Sequence, residues 1–467
     1  MARRRGWCYP IHVRGERFKS GDCMLYMGTA LGQVDAETGP PSAVPLQHFV
    51  VALVFLVTGV SAGALAVFQL VHVLPHVHLL LVGWVCISIM GAMTQFVPVW
   101  SDVSLHSRRL ARAALVATGF GVAGLAVAFG FGRYTDAVLP GGVLLVGLWG
   151  FVYNIGRTLP TVDVRRLDVT ETHFLFALVF VLVTTSLGVT LALDYRWSLL
   201  AETPFGRGDV VGTHAVFAVF GIVVTTVLGA MYQLVTMFTQ TELHRLGTYV
   251  KRFEIRAYPV GVVALGVGRL LSAEAVVRIG SLLVLVSLLG FGVIVLRKLY
   301  ESRVSILGHP MLVRYAVGVP ALIVWTVVVS PSWVSHPLPS GFAGGTASAH
   351  VLLAGFVGYV VVGTVYHIIP FLVWVESYSD RLGLEDVPMI DDLYDPRLER
   401  ADLTMTAVGT AGVVAGTGVG NVAVAGASGA VAVGGYAVFA VNVLLTVRRH
   451  KPGGVTGLFR RADAGTE

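Results

Sequence analysis

Cysteine and charge are both scarce in this chain. Three cysteines, Cys8, Cys23 and Cys86, occur in 467 residues, and no two of them share a zinc-type spacing or an outer loop where a disulfide would persist. Disulfide-stapled and zinc-ribbon architectures are thereby excluded. Charged residues make up 13% against 55% hydrophobic, with mean hydropathy +0.77, which leaves too little polar side chain to cover a globule in water. Membrane lipid is the expected surrounding. The net charge of +6 sits in short loops, as membrane topology requires, so it does not point to nucleic acid. What the chain has in place of charge is long apolar runs. They are apolar all round and about twice the length of a barrel strand, so they read as helices and exclude a β-barrel.

Twelve such runs are long enough to cross a bilayer, at 46–72, 77–100, 108–132, 136–157, 171–193, 211–238, 251–272, 275–297, 311–330, 347–375, 401–419 and 422–447. The expected fold is all-α and polytopic, with twelve transmembrane helices in three pseudo-repeated groups of four. Arg108, Arg109, Arg112, Arg165, Arg166, Arg245, Lys251, Arg252, Arg256, Arg297, Lys298 and Arg303 all fall in loops on one side, and Arg448, Arg449 and Lys451 follow the last run on that same side. The basic side is cytoplasmic by the positive-inside rule, which puts both termini in the cytoplasm. Residues 1–45 read as a disordered cytoplasmic lead, 46–447 as one membrane domain and 448–467 as a basic tail. Met24 or Met27 is an alternative first residue, since the basic start is not followed by a signal-peptide core.

One segment recurs three times. Residues 76–100 read HVHLLLVGWVCISIMGAMTQFVPVW, 214–238 read HAVFAVFGIVVTTVLGAMYQLVTMF and 348–374 read SAHVLLAGFVGYVVVGTVYHIIPFLVW. An offset of 138 carries His76, Gly83, Gly91 and Gln95 onto His214, Gly221, Gly229 and Gln233, and an offset of 272 carries His78, Gly83, Gly91 and Pro98 onto His350, Gly355, Gly363 and Pro370. Each copy begins its apolar span with histidine, so the histidines share one depth near the outer face. Intramembrane histidines repeated in this way form a ligand-site pattern. His76 and His78 lie two residues apart and project about 200° from one another, so one helix can serve two sites on its two sides. By repeat position His78 matches His350, and His76 matches His214. Two facing imidazoles fill both axial positions of a low-spin heme, and His78 with His350 is the expected pair for the heme iron. His76 and His214 are further cofactor-binding candidates, with His214 a possible second-heme ligand, and either could instead donate a hydrogen bond to a propionate or to backbone. His72 reads as interfacial, and His48, His106, His173, His244 and His309 as helix-end residues without a special role.

Gln95, Gln233 and His367 share one position near the far ends of the three segments, suited to helix–helix hydrogen bonding or to a polar ring. The acidic stretch 376–402 is the longest ordered-looking connection, either solvated, docking a soluble partner or capping the inner end of the bundle.

Twelve helices in three groups of four, with histidines toward the outer side of helices two, six and ten, resemble subunit I of the heme-copper oxidase superfamily in a divergent form. HVHLLLVGW followed by GAMTQFVPVW is similar to the tenth-helix signature of cbb-type cytochrome oxidases and nitric oxide reductases, although it stands here on helix two. The resemblance implies heme b on His350 with His78 or His76, a copper ligand at His214, and propionates held near the outer loops, where Trp197 and Trp333 are candidates. It further implies the plasma membrane of a prokaryote, a cytochrome, copper protein or quinol as electron donor, and additional oxidase subunits. Ser348 stands where that family has its high-spin heme ligand, and 251–272 contains no histidine for the copper pair. Oxidoreductase activity through terminal reduction of oxygen or nitric oxide is therefore an open expectation, and respiratory electron transfer is the expected function. A non-catalytic heme or copper protein of the type linked to nitric-oxide stress and a secondary transporter are the alternatives.

Overall fold

The computed structural model describes residues 41–101, 103–159, 167–338, 341 and 344–460. Most of the expected N-terminal lead (1–40) and the end of the tail (461–467) lie outside the described residues. Among the described residues the chain is helical, with no strand beyond one isolated bridge. In order, the long helices are α1 (Ala43–Val67), α2 (Val73–Trp100), α3 (Arg108–Gly130), α4 (Tyr134–Thr158), α5 (Val169–Trp197), α6 (Arg207–Thr239), α7 (Arg245–Leu270), α8 (Glu274–Tyr300), α9 (Pro310–Ser335), α10 (Thr346–Arg381), α11 (Pro396–Gly418) and α12 (Val422–His450), followed by a short α13 (Gly454–Phe459).

Ten of these, all but α7 and α11, are long and apolar enough to cross a membrane. The other two are also helices over their expected runs, but α7 carries Lys251, Arg252, Glu254 and Arg256 in its first half, and α11 carries Arg397, Glu399, Arg400 and Asp402 in its first two turns. Helix starts are set by local chemistry. Ser107 Oγ accepts from the Leu110 N–H at 3.1 Å, Asp168 and Glu171 form a reciprocal capping box, and Asn421 Oδ1 accepts from the Val424 N–H at 3.0 Å. Pro310 and Pro396 open α9 and α11, where a missing N–H costs nothing.

Burial sorts the helices into shells. The apolar windows of α6 and α10 are 83% and 72% buried against 33–56% for the other eight candidate spans, so these two lie innermost. Within α2, α6 and α10 the backbone loosens to a π-helix over Leu79–Cys86, Phe217–Val224 and Val351–Gly358. These segments stand at offsets of 138 and 272, the spacing of the repeated sequence, and each follows its histidine within three residues. Contacts recur as well. Phe55 packs on Gly83 and Phe180 on Gly221, while His48 lies over Gly91, His173 over Gly229 and Arg314 over Gly363.

The acidic connection after α10 is tied to the bundle. Glu376 pairs with Lys451 and accepts from Ser42, Trp374 Nε1 donates to Pro388 O at 2.7 Å, and Arg314 pairs with Glu399 at 2.6 Å and Asp402 at 2.5 Å. The short α13 folds back, with Gln47 donating to Leu458 O at 2.5 Å.

Candidate functional site

α2 starts at Val73, a turn before the expected boundary, which places His76 and His78 in its second turn. The chain reverses just before it through Gln69, whose φ of 58° is left-handed. The two rings leave opposite sides of α2, as a spacing of two residues demands. His76 turns toward α1 and α10. Its Nδ1 is 2.8 Å from Gly59 O, and its ring fills the space a Cβ at Gly63 would occupy, 2.4 Å from that position. Its ring centre is 6.5 Å from that of His350, with 31° between the planes. His350 Nδ1 is 2.8 Å from Thr346 O.

A carbonyl can only accept, so both Nδ1 atoms carry the proton and both Nε2 atoms keep a lone pair. This is how a protein orients imidazole for a metal. Two imidazoles each about 2 Å from a shared metal have ring centres about 6 Å apart, close to the separation observed. The pair borders a cavity of about 410 Å³ between α1, α2, α10, α11 and α12, within the range of about 300–1,000 Å³ usual for cofactor sites. Its walls are mainly apolar, with Gly416, Gly420, Ala425 and Gly429 of α11, α12 and their connection leaving room, and Asn421 and Tyr436 as polar groups. The donor set and the cavity fit a bis-histidine heme.

His78 turns the other way. Its Nδ1 is 3.0 Å from Leu74 O, and its ring packs on Phe129 with centres 5.2 Å apart. His214 Nδ1 is 3.0 Å from Thr184 O, with Gly188 beneath the ring. Of the two histidines expected to face His350, it is the ring of His76 that does so, while His78 lies on the other side of α2 against Phe129. Copies arranged head to tail around an axis present equal positions in the same rotational sense, so a residue meets the other position of the next copy and not its own equivalent.

At the third junction, Ser348 stands where His76 and His214 stand. Against α6, Phe220, Trp325 and Trp333 interlock with ring centres 5.5–5.7 Å apart, all three fully buried. Trp333 belongs to this plug, its Nε1 donating to Gly341 O of the α9–α10 connection at 3.3 Å, while Trp197 is 55% exposed.

Toward the opposite end, His173 is no idle helix-end residue. It is fully buried with its Nε2 2.9 Å from Oε1 of the equally buried Glu254. In α9, Arg314 bridges Glu399 and Asp402, and the Tyr366 hydroxyl donates to Asp402. The signal for these networks was in the sequence, as Glu254 and Arg314 are charges inside expected spans. His367 packs between Phe238 and Phe371, with ring centres 4.3 and 6.0 Å away, and Gln233 is exposed. At the same end, beyond α8, Arg297 and His244 hold the Glu301 carboxyl below its usual range through hydrogen bonds of 2.8 and 3.1 Å.

The fold defines an all-α, polytopic membrane protein in which His76, His78, His214 and His350 stand near the starts of α2, α6 and α10, at one end of the bundle. No protein-family model matches the chain, and no curated protein matches it.

Proposed function

We propose that this protein is a heme-binding respiratory membrane protein in which His76 and His350 are the axial ligands of one b-type heme. The observation that carries the proposal is the facing pair itself, with both Nδ1 atoms anchored to carbonyls and both Nε2 atoms left for a metal at a separation of 6.5 Å between ring centres. Heme held by two imidazoles has no open position and supplies one-electron transfer. The chain's own work is to fix the ligands. Gly59 and Thr346 set the tautomers, Gly63 lets the His76 ring lie flat against α1, and the small residues of α11 and α12 keep the cavity open.

The architecture we propose is that of twelve spans in three groups of four, as in heme-copper oxidase subunit I. Both termini would be cytoplasmic in a prokaryotic plasma membrane, with the histidine end outward. A cytochrome, copper protein or quinol would then exchange electrons at that end. Reduction of oxygen or nitric oxide is not part of the proposal, because the third junction is filled by Phe220, Trp325 and Trp333 and lacks a histidine at Ser348.

The test is a reduced-minus-oxidised visible spectrum of the purified protein, with a pyridine hemochrome assay and carbon monoxide addition. A sharp α band without a carbon monoxide shift is expected, lost in His76→Ala and His350→Ala and kept in His78→Ala. Absence of heme, or loss of the band in His78→Ala with retention in His76→Ala, overturns the assignment.

A further inference from the structure

Two positive charges near the end of the bundle opposite the histidines lack a counter-charge in the chain. α7 carries Arg252 and Arg256 on its exposed side, four residues apart and therefore one above the other, with exposed Tyr249 and Phe253 beside them. Glu254, between them in sequence, turns inward to His173, and Glu301 is committed to Arg297 and His244. Among the described residues neither guanidinium forms an ion pair, and the hydrogen bond that Arg256 makes runs to Arg252 O at 3.4 Å.

Depth decides what can neutralise them. α7 and α8 lie against each other with Val250 on Gly290 and Gly261 on Val284, so Arg252 and Arg256 fall between these two contacts, level with residues 284–290 of α8. The exposed side chains of that stretch are Val286 and Leu289, and the apolar row runs on through Val293 and Leu296 before Arg297 closes it. Gly290 to Leu296 spans about 9 Å of helix at 1.5 Å per residue, so the arginines stand inside the apolar band of α8 and not at its edge. A guanidinium can snorkel toward water, but like charges four residues apart on a helix repel each other. Toward the histidine end, the exposed row of α7 turns apolar at Val260, Val263 and Val267, beside Leu282 and Ile279 of α8.

We propose that Arg252 and Arg256 hold the phosphate of an anionic phospholipid whose acyl chains lie along the exposed apolar faces of α7 and α8. A phosphodiester offers two free oxygens to the planar guanidinium fork and places a negative charge between two positive ones. A zwitterionic headgroup brings its own cation and neutralises the pair less well. Tyr249 and Phe253 suit headgroup level, where aromatic rings gather in membrane proteins. A soluble anion would meet the same arginines but leave the valine rows below them uncovered, whereas a lipid satisfies both.

The experiment titrates the purified, delipidated full-length protein in detergent micelles with phosphatidylglycerol, phosphatidylcholine and inorganic phosphate, and counts bound molecules per chain by native mass spectrometry. One phosphatidylglycerol per chain is expected to bind about tenfold more tightly than phosphatidylcholine, the scale set by hydrogen bonds to a charged group. Arg252→Gln/Arg256→Gln should lose that preference. Arg256→Gln alone, a milder change that guards against misfolding, should weaken it severalfold with unchanged helicity by circular dichroism. Arg108→Gln/Arg112→Gln removes an exposed arginine pair of the same spacing from the opening turns of α3, and should bind as the wild type does. Equal affinity for the two lipids, equal loss in the α3 and α7 variants, or inorganic phosphate occupying the arginines as tightly as phosphatidylglycerol overturns the proposal.

Discussion

Gly63 matters for the space it leaves. A methyl group there would sit 2.4 Å from His76 Nδ1, so the ring would have to swing off Gly59 O. Overpacking of this kind costs about 1–3 kcal/mol. Gly63→Ala is expected to lower heme content severalfold and broaden the α band, measured by pyridine hemochrome per chain. Gly188→Ala is the matched control: its methyl would lie 3.1 Å from His214 Cε1, and heme content should stay unchanged. Both glycines stand in the sequence as unremarkable small residues of apolar spans. Their partners became visible only when α1 was laid against α2 and α5 against α6.

At the scale of the element, the π segments explain how a helix can hold its histidine at one angle and its glycines at another. A π turn accommodates an extra residue and so rotates everything on its far side by about 100° relative to an uninterrupted α-helix. Deleting Val82 from Leu79–Cys86 should restore α geometry and turn His76 away from His350. The expected result is loss of the α band with unchanged helicity by far-ultraviolet circular dichroism. Deleting Val219 from Phe217–Val224 should turn His214 instead and keep the band. The buried polar pairs belong to this scale too. His173 on α5 and Glu254 on α7 satisfy each other within 2.9 Å, and removing one partner of such a pair commonly costs about 3–5 kcal/mol. The positions of the helices and their apolar faces were legible from hydropathy, and α2, α6 and α10 could be singled out by the repeated motif. The π segments were not legible, because an α and a π stretch of Leu, Val and Gly have the same composition.

The whole molecule is a ring of three junctions in which α2, α6 and α10 each carry a histidine or its replacement. The three junctions differ in content: His76 and His350 beside a cavity, His78 against Phe129, and Phe220, Trp325 and Trp333 as a plug. Orientation is a property of this scale as well. With Cys8, Cys23 and Cys86 replaced by serine, a single cysteine at exposed Thr203 of the α5–α6 connection should react with an impermeant maleimide on intact cells. One at Leu307 of the α8–α9 connection, 89% exposed, should react only after permeabilisation. The reverse pattern would place the histidines on the cytoplasmic face.

The sequence by itself determined that this is an all-α membrane protein, that three matched segments carry histidines near the starts of their helices, and that His76 and His78 must face opposite ways. These follow from hydropathy and from 100° per residue, which are local properties of the chain. Which histidine meets which was decided by the tertiary structure alone. Equal repeat positions suggested His78 with His350, but neighbours around a closed ring meet through unequal positions, so His76 took that place and His78 went against Phe129. Whether a junction is open or filled was likewise decided by packing. The small side chains of α11 and α12, the bulk of Phe129 and the interlocked tryptophans lie far apart in sequence, and only the assembled bundle sets them beside the histidines.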